Sequence, residues 1–177
     1  TLNKFVVDVA KQLEERGRTV GKFIPETDIQ DLPNKPLDID TNEEAKREYK
    51  RKRRDVENSN RTHIQKCVRT RMTMECVRKF EVYDKFYLPW SFDYRGRTYP
   101  VASFLTPQDT DFGKSLLRFY EESFVDEVAV DWLKFHVATQ RGLDKAPMKE
   151  RIKWTEDNHG IIERIATEPL DYLHEWE

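Results

Sequence analysis

Apolar positions set the first elements. Leu2, Phe5, Val6, Val9 and Leu13 recur at helical spacing and Gly17 supplies a stop, which predicts an N-terminal amphipathic helix. Residues 19–41 carry Pro25, Pro33 and Pro36 among acids and read as an extended, exposed loop. Thr41 with Glu44 three residues on matches a capping box, opening a helix expected to run to about Phe80 because neither Gly nor Pro interrupts it. Its first half offers only Ala45, Tyr49 and Val56 to a core. Its second half places Ile64, Val68, Met72, Cys76 and Phe80 at every fourth position, predicting a continuous buried face, and Asn58-Ser59-Asn60 marks a candidate break. Antiparallel pairing of the two helices across the proline loop would make residues 1–82 an elongated helical arm.

Phe86-Tyr87-Leu88-Pro89-Trp90 and Thr98-Tyr99-Pro100-Val101 have the aromatic and branched content of short strands, and their prolines exclude the centre of a regular sheet. Gly96 suits a tight turn between them. A short helix is expected over Phe112–Tyr120 and another over Glu127–Thr139 with Val128, Trp132 and Phe135 inward; Trp154 also fits a core position. Pro147 is placed to start a further helix bearing Ile152 and Trp154, and Asn158–Gly160 reads as a joint before Ile161, Ile162 and Ile165. The expected fold class is mainly α with a small β element (α+β).

Composition refines this picture. Charged residues make up 36% of the 177, but four Trp and a 12% aromatic share argue for a packed chain. The net charge of −2 hides a division: Glu26–Glu44 holds seven acids against Lys35 alone, and Lys46–Lys79 holds thirteen Lys or Arg against four acids. Local fields rather than the total steer a polyanion. Cys67 and Cys76 cannot build a disulfide framework, and no signal or membrane span is visible, so a reducing cytosolic setting is expected. The chain starts at Thr1 without a methionine and stops at Glu177 within a patterned region, so both ends read as cut.

Two constellations carry candidate chemistry. Arg61, Lys66, Arg69, Arg71, Arg78 and Lys79 interleave with apolar positions, so one helix can bury a face and offer cations on another; a phosphate-binding surface and an ordinary solvated face both fit. In Asp93-Tyr94-Arg95-Gly96-Arg97-Thr98-Tyr99, two arginines flank a residue without a side chain, so backbone can approach a ligand while guanidinium groups reach phosphate or base edges. Asp93 can hold an arginine and Tyr99 offers a ring and a hydroxyl; a plain hairpin turn with a surface ion pair is the alternative. Gly113-Lys114-Ser115 ends like a phosphate-binding loop but has Gln108 where that loop needs glycine. Asp109, Thr110 or Asp111 reads as a helix cap, and the cysteines and histidines lack zinc spacing.

The run FYLPWSFDYRGRTYPVASFLTPQDTDFGKSLL, Phe86–Leu117, closely resembles a signature of single-subunit RNA polymerases of phages and mitochondria. The resemblance extends upstream through Leu32-Pro33-Asn34-Lys35-Pro36 and Asp38-Ile39-Asp40, and downstream through Asp131–His136, Gly142–Lys145, Glu150–Trp154, Glu156–His159 and Pro169-Leu170; its later segments look more like the phage branch. It implies a thumb over 1–82, the first part of the palm over 83–124 and a helical palm insertion over 125–177. It also implies that Arg95 and Arg97 contact the template–RNA hybrid, that Asp93 orients their turn, that Tyr99 and Lys114 line the nearby cleft and, more loosely, that Lys66, Arg69 and Arg71 act from the thumb. The implied partners are the DNA template, the RNA–DNA hybrid and the rest of the polymerase chain, with nucleoside triphosphates used by the parent enzyme, in the cytoplasm of an infected bacterium and without a membrane. The parent would use Mg held by two palm carboxylates. No His-Asp-Ser turn occurs in this chain, so the fragment is expected to bind no cofactor and to be inactive alone. A free-standing nucleic-acid-binding module and a helical protein-interaction scaffold are the alternatives, and self-association through uncovered surfaces is expected.

Overall fold

The computed structural model describes residues 1–175 and divides into two units, Thr1–Arg118 and a second beginning at Phe119. It is mainly helical with one two-stranded antiparallel sheet, as the sequence pattern implies.

In the first unit, helix α1 (Lys4–Glu15) buries Val7, Val9, Ala10 and Leu13, and helix α2 runs unbroken over Glu43–Phe80. Ion pairs Lys11–Glu81 and Glu14–Arg78 match rising positions on α1 to falling ones around the end of α2, so the two run antiparallel. The start of α2 departs from the expected capping box. Asn42 is the cap, its side chain accepting from the Glu44 and Ala45 amides, and the Thr41 hydroxyl donates to the Asp38 carbonyl. An amide oxygen one residue nearer the helix reaches those first free donors directly.

The buried face of α2 is also not the expected one. Ile64, Val68 and Met72 are exposed; Cys67, Thr70, Thr73, Met74 and Val77 are buried. The reason is geometric: each step of four residues overshoots a turn by about 40°, so the row 64–80 winds about 160° around the helix, whereas alternating steps of three and four hold one stripe. That stripe admits Thr70 because its hydroxyl accepts from the Ile24 amide and donates to the Lys66 carbonyl.

Asn58–Asn60 does not break α2. Asn60 instead holds the proline loop: its side-chain amide donates to the Gln30 carbonyl (2.8 Å) while its oxygen accepts from the Gln30 amide (2.9 Å). His63 accepts from the Asp28 amide, and Arg71 Nε donates to the Pro25 carbonyl. The loop thus runs antiparallel along α2, with Phe23, Ile24 and Pro25 buried and the acids outside. Replacing Asn60 with alanine should cost roughly 1 kcal/mol, since both partners can reach water, yet it should release the Gln30 amide to fast hydrogen exchange; unaltered protection there would show that the loop is held by other contacts.

Strands β1 (Trp90–Phe92) and β2 (Thr98–Pro100) pair with Trp90 opposite Pro100, Ser91 opposite Tyr99 and Phe92 opposite Thr98. Helix α3 is shorter than expected, Asp111–Ser115, because the following residues pair with the N-terminus: the Leu116 carbonyl accepts from the Asn3 amide, and Leu2 bridges Leu117.

The second unit contains α4 (Glu127–Gln140), α5 (Met148–Asp157), α6 (His159–Thr167) and a 3-10 turn at Leu173–Glu175. Asp126 caps α4 by accepting from the Ala129 amide, and Pro147 precedes α5. Val128 and Trp132, expected inward, are exposed, as Phe135 packs half-buried and Ala138 fully buried. Close approach of α5 selects the alanine line of α4 rather than the indole. The Thr155 hydroxyl donates to the Lys134 carbonyl, and Lys134 pairs with Glu156, which holds the lysine ammonium above its usual range through that hydrogen bond.

Candidate nucleic-acid interface

The hairpin between β1 and β2 is ordered by one carboxylate. The Asp93 carbonyl accepts from the Gly96 amide (3.0 Å), and the Asp93 amide donates to the Arg97 carbonyl (2.9 Å), closing a tight turn in which Gly96 sits at φ +77°. A side chain there would meet no neighbour but would force an L-residue into the left-handed region, which is why the position favours glycine. Asp93 Oδ1 accepts from the Arg95 and Arg97 amides (2.8 and 3.0 Å), an Asx-type turn. Its Oδ2 accepts from Arg97 Nε at 3.0 Å and lies 3.6 Å from Arg95 Nε.

One carboxylate between two guanidinium groups leaves the turn net cationic. Asp93 is only 20% exposed in its side chain, whereas Arg95 and Arg97 are 56% and 51% exposed. The arginines also lie against aromatic rings, Arg95 5.3 Å from the Tyr94 centroid and Arg97 6.0 Å from that of Tyr99. Ring contact and a shared carboxylate restrict both long side chains while leaving donors open to a ligand.

The other expected site residues are placed differently. Lys114, on α3, pairs with Asp111 at 3.3 Å and is half exposed. Lys66 is exposed on α2. Arg71 is anchored by the Pro25 carbonyl, and Arg69 is committed to Asp109, its Nε donating to Oδ1 at 2.9 Å and its Nη2 to the same oxygen.

Of the three residues that the sequence offers as the cap of α3, Asp109, Thr110 and Asp111, Asp109 does something else. Thr110 caps α3 by accepting from the Gly113 amide. The Asp109 side chain is 1% exposed and also accepts from the Thr110 amide (2.7 Å) and the Leu105 amide (3.2 Å). Gly113 packs directly on it; a Cβ there would stand 2.6 Å from Asp109 Cγ. Only the pairing of Arg69 with a residue forty positions later could have revealed this role, and local spacing carries no such signal. Among the described residues no three His, Cys, Asp or Glu side chains gather as a metal site, and no helix is long and apolar enough to cross a membrane.

A family described as DNA-dependent RNA polymerase matches residues 123–177. T7 RNA polymerase of Escherichia phage T7 is 34% identical over 170 residues, covering 96% of this chain and 19% of the relative. The DNA-directed RNA polymerase of Enterobacteria phage T3 is 32% identical over the same shares, and the mitochondrial DNA-directed RNA polymerase 1 of Arabidopsis thaliana is 27% identical over 99% of this chain and 18% of its own length. The chain belongs to the phage-type, single-subunit DNA-directed RNA polymerases, as a segment of such an enzyme. It spans about a fifth of the length of these relatives.

Proposed function

We propose that this segment grips the DNA template and the RNA–DNA hybrid beside the catalytic centre of a phage-type RNA polymerase. The observation that carries the reading is the Asp93 turn, which presents two restrained, half-exposed guanidinium groups at a bare glycine backbone. Phosphates suit that arrangement, because forked donors match their oxygens and each neutralised charge releases counterions. In this reading residues 1–82 act as thumb, 83–124 as the beginning of the palm and 125–177 as a palm insertion. Tyr99 and Lys114 extend the contact along the cleft, and Lys66 and Arg71 add positive potential from α2. Nucleoside triphosphates and magnesium would be handled by the parent enzyme, in the cytoplasm of the infected host.

The test is binding of a fluorescent RNA–DNA hybrid to the 177-residue chain as salt is varied. Replacing Arg95 and Arg97 together with alanine should weaken binding at least about tenfold at low salt and reduce the slope of log affinity against log salt by about 2. Absence of hybrid binding at low salt, or an unchanged slope in the double variant, would rule the proposal out.

A further inference from the structure

Arg69 belongs to the basic stretch of α2, yet its guanidinium is engaged by a carboxylate with almost no solvent exposure. That carboxylate, Asp109, sits in a built pocket. Leu105 is buried and adopts φ +55°, a left-handed conformation that L-residues avoid, and its amide donates to Asp109 Oδ2. The Thr110 amide donates to Oδ1, and Gly113 provides the space that any side chain would occupy. A strained residue and a glycine thus combine to bury one acid that then receives Arg69. The neighbouring residue faces the candidate interface: Gln108 Nε2 donates to the Thr98 carbonyl at 3.2 Å, and Thr98 pairs with Phe92 at the mouth of the Asp93 turn.

We propose that Arg69 and Asp109 are positioning residues: their ion pair fastens the segment bearing Gln108 to helix α2, and through Gln108 it fixes the hairpin that presents Arg95 and Arg97. The inference rests on the reading of that hairpin as a hybrid grip. The path consists of four adjacent links, Arg69 to Asp109, Asp109 to Gln108 along the chain, Gln108 to Thr98, and Thr98 to the turn. A site held this way keeps its geometry under load, because its support comes from a helix rather than from the loop itself.

The sign of one substitution separates this role from a direct phosphate contact by Arg69. Asp109→Asn removes a negative charge and leaves Arg69 free, so general electrostatics predicts tighter hybrid binding. Loss of positioning predicts weaker binding, about fivefold or more, and no further loss once Arg95 and Arg97 are already alanine. The experiment measures hybrid affinity for Asp109→Asn in both backgrounds, together with Gln108→Ala, which should reproduce the defect without touching the buried pocket. Amide exchange is followed in parallel: Asp109→Asn should speed exchange at Arg95, Arg97 and Thr98 and leave Val7–Leu13 unchanged. Tighter or unaltered binding of Asp109→Asn, or an equal loss in both backgrounds, would overturn the proposal. If the unaltered chain binds no hybrid, the grip reading fails on its own; the mechanical link is then decided by exchange, where selective loosening of the hairpin supports it and uniform or absent change refutes it.

Discussion

Replacing Arg151 with methionine is expected to leave much of the second unit unfolded at room temperature. Arg151 is 8% exposed and has no carboxylate partner among the described residues; its Nε donates to the Ala146 carbonyl at 2.7 Å, its Nη1 to the Thr139 hydroxyl at 3.0 Å and its Nη2 to the Asp144 carbonyl. Its Cζ lies 4.4 Å from the Phe135 ring centroid. One fork therefore closes the α4–α5 connection and fastens α5 to α4. Hydrogen bonds to a charged donor contribute about 1.5–3 kcal/mol each, and part of that returns when exposed carbonyls find water, so a net loss of about 3 kcal/mol is reasonable. Single cores below about 70–80 residues rarely hold more than about 3–5 kcal/mol. Circular dichroism should show reduced helix, and hydrogen exchange should place the loss in 127–157 while Cys67–Val77 stays protected. Arg151→Lys should be nearly as damaging, because an ammonium cannot span three divergent acceptors. Full protection of 127–157 in the methionine variant would mean that apolar packing alone holds α5.

The second large effect is expected at Arg69→Leu. The substitution leaves Asp109, 1% exposed in its side chain, without a counter-charge. Breaking a fully buried pair costs about 3–5 kcal/mol; the Arg69 side chain is 44% exposed, so water can partly reach the orphaned carboxylate and about 2–3 kcal/mol is the better figure. The cost should fall on the first unit and appear as a lower urea midpoint. Arg69→Leu combined with Asp109→Ala should recover part of the loss, since removing both members costs less than stranding one. A double variant no more stable than the single one would show that the Leu105 and Thr110 amides, rather than the charge, are what the pocket chiefly serves.

Much of the candidate interface is legible in the sequence. Asp93, Arg95, Gly96 and Arg97 lie within five consecutive positions, and an Asx turn with a left-handed glycine is determined by residues that close together. The long helix was equally plain, as was its antiparallel partner. Which face of that helix is buried was not: the apolar row Ile64–Val68–Met72 is exposed, and two of the five buried residues are threonines, one of which, Thr70, accepts a hydrogen bond from Ile24. Trp132 misled for a similar reason, because burial on α4 follows where α5 can approach and not which side chain is most apolar.

The sequence by itself determined the long helix, the hairpin, the cationic turn and membership of the polymerase family, because each depends on short-range periodicity, turn chemistry or ordered motifs. Tertiary structure alone decided the stripe of α2 that enters the core, the conversion of Asp109 from apparent helix cap to anchor for Arg69, and the use of Arg151 as the clasp between α4 and α5. Those outcomes depend on groups far apart in the chain meeting at hydrogen-bond distance, and local propensity holds no information about a partner that only folding brings near.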